Sequence, residues 1–143
     1  MIGLYNVIGE RYGVDVVARQ SARGRMWLGL RRYRGAAVNR SELQQLAEER
    51  VRDAEALLNA GQWAGAYYLA GYGVEYGLKA CIAKLTNQHD FPDKELAQRS
   101  FTHKIEVLVE VAGLDGQRKT DAAAHPPLAS NWLVVKDWDE EAR

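Results

Sequence analysis

A chain of 143 residues, 47% of them hydrophobic, has the size of one domain that can bury a core without disulfide or metal staples. Its single cysteine excludes a disulfide framework and a cysteine-rich zinc site, which points to a reducing, cytoplasmic location. No apolar run approaches the ~18 residues of a membrane span and no secretory apolar stretch opens the chain, so a soluble protein is expected.

The formal net charge of zero hides an asymmetry. Residues 1–38 hold seven arginines, no lysine and two acids, Glu10 and Asp15, for +5, whereas residues 39–143 hold twelve basic and seventeen acidic side chains, for −5. Glycines from Gly3 to Gly35 interrupt every candidate helix in residues 1–38, which are read as an irregular extension. Arg23, Arg25, Arg31, Arg32 and Arg34 suit an arm for RNA or membrane phosphates. A mitochondrial presequence is a second reading, weakened by the two acids. The leading reading is that the working domain begins near Val38, where a valine codon would serve as a bacterial initiator.

From Asn39 the pattern changes. Ser41-Glu42-Leu43-Gln44 fits a capping box. Leu43, Leu46, Ala47, Val51, Ala54, Leu57 and Leu58 then recur at steps of three and four, with Glu48, Glu49, Arg52 and Glu55 on the other side, until Gly61 stops the helix. A second helix is expected from about Gln62 to Leu85. It contains four glycines, each costing about 1 kcal/mol against alanine in a helix interior. Ala66, Ala70, Gly73, Gly77 and Ala80 make a stripe of small residues that a neighbouring helix can approach closely, and the tighter packing offsets that cost. Tyr67, Gly71, Val74, Leu78, Cys81 and Leu85 widen the apolar surface, so the helix is expected to be buried on more than one side.

A polar loop is expected from Thr86 through Pro92 and Lys94-Glu95-Leu96 to Phe101. Thr102 caps a third helix, whose Ile105, Leu108, Val109 and Ala112 form one apolar face before Gly113 ends it. Residues 114–124 suit a short helix that Pro126-Pro127 breaks. Trp132 to Val135 with Trp138 suits strand or buried helix, and helix is chosen because no second strand is present to pair with it. The fold class is therefore all-α.

These residues resemble a known family. Gly61-Gln62-Trp63, then Ala66-Tyr67-Tyr68-Leu69-Ala70-Gly71-Tyr72, Glu75 and Leu78-Lys79-Ala80, are similar to the second helix of HEPN domains. Phe91-Pro92, Thr102-His103, Val111-Ala112-Gly113-Leu114, Asn131-Trp132 and Val135-Lys136-Asp137-Trp138 follow in the family's order, so the resemblance covers residues 40 to 143. It implies an up-and-down helical bundle over residues 39–143, often a dimer, and one further long helix after the Trp138 segment. A bundle lacking that helix would leave an apolar groove beside the second helix. The resemblance implies one of two activities. Some members are metal-independent ribonucleases, frequently toxins, with an R-x(4 to 6)-H motif paired across a dimer. Others lack the motif and bind small nucleotidyltransferases or nucleotides.

The leading expectation is a non-catalytic module binding a protein or nucleotide partner, such as a minimal nucleotidyltransferase in a toxin–antitoxin pair. A ribonuclease toxin and an inactive fragment are the alternatives. Arg118 and His125 satisfy R-x6-H and would supply the ribonuclease's charge stabilisation and proton transfer. Thirteen arginines and three histidines make a chance match easy, and Pro126-Pro127 would break the helix the motif needs. His103 is expected in the first turn of the third helix, hydrogen-bonding the bundle, and His89 in a solvated loop. No metal or cofactor is expected. Glu75 and Lys79 lie on one stripe with Tyr68 and Tyr72. They form either a surface i,i+4 pair or a polar network at the bundle or partner interface, in which the tyrosine hydroxyls satisfy both charges. Tyr68, Tyr72, Glu75, Lys79 and His103 are the binding or interface candidates, with a homodimer and an RNA or nucleotide ligand among the possible partners. Cys81 reads as a small core hydrophobe.

Overall fold

In the computed structural model, residues 38–86 and 93–141 are described. The expected extension, apart from Val38, and His89 with Phe91-Pro92 lie outside them. The described residues form six helices and no strand, so the all-α expectation is met. None of these helices is long and apolar enough to cross a membrane.

Helix α1 (Arg40–Asn59) starts from a capping box two residues earlier than expected. The Asn39 side chain accepts from the Glu42 amide at 3.0 Å and the Glu42 carboxylate accepts from the Asn39 amide at 3.0 Å. Asn39-x-x-Glu42 meets the same pattern as Ser41-x-x-Gln44, and it places an ionised carboxylate at the positive end of the helix dipole. Ser41 instead donates its hydroxyl to the Asn39 side chain at 2.6 Å. At the far end Gly61, at φ 72°, donates to Leu58, and Gln62 donates to Leu57. That left-handed turn satisfies the last carbonyls and folds α2 (Trp63–Leu85) back along α1.

Helix α2 is the centre of the bundle. Ala66, Ala70, Gly73, Gly77 and Ala80 are all buried, as are Ala47 and Ala54 of α1. Close approach nevertheless does not account for every glycine. A Cβ on Gly77 would meet nothing within 4 Å, whereas one on Gly71 would overlap the Trp138 indole. Gly71, which lies outside the small stripe, is thus required by a side chain from beyond α6.

Residues expected as loop form α3 (Lys94–Ser100), capped by Asp93, whose carboxylate accepts from the Glu95 and Leu96 amides at 2.9 and 3.1 Å. Its two turns bury no residue, so they carry no apolar period to read. Helix α4 (Ile105–Val111) begins three residues after Thr102. Thr102 therefore does not cap it: its hydroxyl accepts from the Lys104 amide at 3.2 Å, closing a local turn. His103 consequently precedes the helix and is not in its first turn. Gly113, at φ 70°, ends α4 through the Leu114 amide bonded to the Val109 carbonyl.

Helix α5 (Asp115–Ala124) and helix α6 (Pro126–Val135) are separated by His125 alone. The two prolines end one helix and open the next, since the first positions of a helix need no amide hydrogen. The core joins Val74, Leu78 and Ile82 of α2 to Ile105, Leu108 and Val109 of α4, closed by Leu128, Val135 and Trp138.

Candidate functional site

The five interface candidates meet on one side of α2. Glu75 projects from the middle of that helix and is 1% exposed, an environment in which a carboxylate must be paired. Its Oε1 accepts from the Lys79 ammonium at 2.7 Å, one turn along, and its Oε2 lies 2.9 Å from Nδ1 of His103. The pair is therefore buried at its acidic end, and the surface alternative for Glu75 and Lys79 does not describe it. The Tyr68 and Tyr72 hydroxyls bond to each other, and the carboxylate's second oxygen meets the imidazole. A carboxylate only accepts, so in this contact Nδ1 of His103 is the donor, on a side chain 44% exposed. The turn made by Thr102 and Lys104 sets His103 at the mouth of α4, and the bond to Glu75 ties that turn to α2.

An aromatic row continues from the same face. Tyr68, Tyr72 and Tyr76 recur every four residues. Tyr68 and Tyr72 meet edge to face at 5.1 Å, with hydroxyls 3.4 Å apart, and Tyr72 stacks on Tyr76 at 5.9 Å. The Tyr72 ring is also edge-on to His103 at 6.4 Å and to Trp138 at 5.0 Å. The hydrogen bond shared with Tyr68, burial, and the neighbouring Glu75 charge push the Tyr72 hydroxyl up to about 12, so it is a neutral phenol at physiological pH. Tyr76 and Trp138 are absent from the sequence candidates. The four-residue spacing would have shown Tyr76, but no local pattern shows Trp138, which arrives from beyond α6.

Towards the start of α2 the row becomes apolar and open. The Tyr67 hydroxyl donates to the Val134 carbonyl at 3.4 Å, bringing the end of α6 against α2. Trp63, one turn before Tyr67, is 70% exposed, and Leu133 and Val134 of α6 are 64% and 54% exposed. Val134 of α6 thus meets Tyr67 of α2, a contact that the sequence patterns did not show.

Arg118 and His125 are held differently. The Arg118 guanidinium lies over the Trp132 ring at 4.2 Å and donates to Asp115 at 2.7 Å. Lys119 adds a second bond to Asp115 at 2.6 Å. These two cations hold the Asp115 carboxyl below its ordinary 3.8. His125 is exposed at the α5–α6 junction, and its backbone joins both helices through Asp121 and Leu128. The arginine is thus committed to its own helix and to Trp132. Among the described residues no group of three or more histidine, cysteine or acidic side chains could hold a metal.

Cys81 is half-buried and its thiol is pushed up by that burial, against the opposing pull of Arg40 and Lys84. It lines a pocket with residues of α1, α2 and the end of α4.

Compared with protein-family models, with curated proteins and with solved structures, the chain matches none.

Proposed function

We propose that this chain is a HEPN-like helical module that works by binding a protein partner rather than by catalysis of its own, and that the partner is a small nucleotidyltransferase in a toxin–antitoxin pair. The observation that carries binding is the exposure of Trp63 on α2 and of Leu133 and Val134 on α6, whose end meets α2 at Tyr67. Large exposed apolar side chains with a tryptophan among them have the composition of a binding hot spot. The choice of partner rests on the resemblance of the α2 motif to HEPN domains. Under this reading Tyr68, Tyr72, Lys79 and His103 form the polar end of the docking face and Glu75 holds the two basic side chains in place. The ribonuclease alternative draws less support from the geometry, because Arg118 is engaged by Asp115 and Trp132.

The test is co-expression of the tagged chain with a nucleotidyltransferase encoded beside it. Co-elution at fixed stoichiometry, lost when Trp63→Asp and Leu133→Asp are combined while the circular dichroism of the free chain is unchanged, is the expected outcome. No co-elution with the unaltered chain would overturn the partner assignment. Cleavage of single-stranded RNA without metal, abolished by His125→Ala, would favour the ribonuclease instead.

A further inference from the structure

The pocket at the opposite end of α2 belongs to neither the docking face nor the Arg118 cluster. It encloses about 190 Å³ and is lined by Arg40 and Gln44 of α1, by Ala80, Cys81, Lys84 and Leu85 of α2, and by Ala112 and Leu114. One water needs only ~10–15 Å³ of such space, so this is far more than a packing defect. Its size is nevertheless below the ~300 Å³ at which pockets for drug-sized ligands begin.

The chemistry of the lining is lopsided. Ala80 and Ala112 are buried and give apolar walls with Leu85, Leu114 and the neutral thiol of Cys81. Among the described residues, the only charged ones lining it are Arg40 and Lys84, both cationic. Both bear on the Cys81 thiol, which places their charge close to the cavity. The Arg40 Nε is buried without a hydrogen-bond acceptor among the described residues, a state that leaves the loss of its water uncompensated. Glu42, the acid of the first turn of α1, does not line the pocket and its carboxylate accepts from the Asn39 amide.

We infer that this pocket binds a small organic monoanion with an apolar body, of the class of medium-chain carboxylates. The carboxylate would accept from Arg40 and face Lys84, and the chain would lie against Ala80, Leu85, Ala112 and Leu114. Cys81, the sole cysteine of the chain, reports on occupancy without taking part, because a filled pocket shields its thiol from alkylation.

The experiment uses the full chain with three probes. Octanoate supplies both head and tail, octanol the tail alone, and acetate the head alone. Octanoate is expected to slow alkylation of Cys81 saturably, by about tenfold at a concentration ten times its dissociation constant, and to raise Tm in step. Octanol and acetate at the same concentrations should change the labelling rate less than twofold, and Arg40→Gln or the exposed Lys84→Gln should weaken octanoate by about tenfold. Equal protection by octanol would overturn the inference, as would labelling indifferent to octanoate, or octanoate protection that survives Lys84→Gln and Arg40→Gln unchanged. If Arg40→Gln fails to fold, the Lys84→Gln result decides alone.

Discussion

Glu75 with Lys79 and His103, and Asp115 with Arg118 and Lys119, are built from the same parts: a carboxylate, basic side chains a turn or a loop away, and an aromatic ring beside them. They differ in where the carboxylate sits. Glu75 is 1% exposed, whereas the Asp115 side chain is 38% exposed. A buried carboxylate leaves its partners no choice of water, so the Glu75 cluster fixes which helices meet. An exposed one competes with solvent at every moment, and such pairs add little. Similar inventories of charge thus serve different ends: one joins α2 to the turn before α4 through its carboxylate, whereas the carboxylate of the other pairs only within α5.

That contrast is open to test at each of its terms. The largest effect is expected for Glu75→Ala, which strands Lys79 and His103 and should lower the unfolding free energy in urea by more than ~2 kcal/mol. A loss near 0.5 kcal/mol would reduce the buried cluster to the level of a helix-surface pair. Arg118→Ala should cost about 1 kcal/mol, because the stack on Trp132 contributes where the exposed ion pair does not. A value equal to that of Glu75→Ala would erase the distinction. The smallest effect concerns pH. The Asp115 carboxyl is held below its ordinary 3.8 in the fold, so its contribution is complete above that value and is lost as pH falls through the lower folded value. Asp115→Asn should therefore be slightly less stable than the parent chain near neutrality, and the gap should close as pH falls below about 4.

The helical class, the two long helices and the burial of α2 are legible in the residues, because a period of three and four over some twenty positions has few other interpretations. The smaller features are not. Two overlapping tetrapeptides satisfy one capping pattern at the start of α1, and only the three-dimensional hydrogen bonds choose between Asn39 and Ser41. Helix α3 escapes notice because two exposed turns bury no apolar face. His103 reads as part of a helix because a threonine before an apolar run looks like a cap whether it bonds the second residue onward or the third. The candidate residues themselves do gather on one face, since Tyr68, Tyr72, Glu75 and Lys79 share a helical stripe. What joins that stripe to His103 and Trp138 comes from elsewhere in the chain, and so does the reason for Gly71. A tertiary contact of that kind leaves no trace in local spacing.

The seat of Trp138 on Gly71 also has an optical consequence. The indole is 4% exposed, its Nε1 has no hydrogen-bond partner among the described residues, and two tyrosine rings lie within 6.5 Å of it. A ring in that setting emits at short wavelength, collects excitation from Tyr68 and Tyr72, and is shielded from aqueous quenchers. Trp63, on the open surface, should emit like free indole and be quenched readily. These two indoles are thus lamps of different colour, one reporting the integrity of the bundle and the other the occupancy of the proposed docking face.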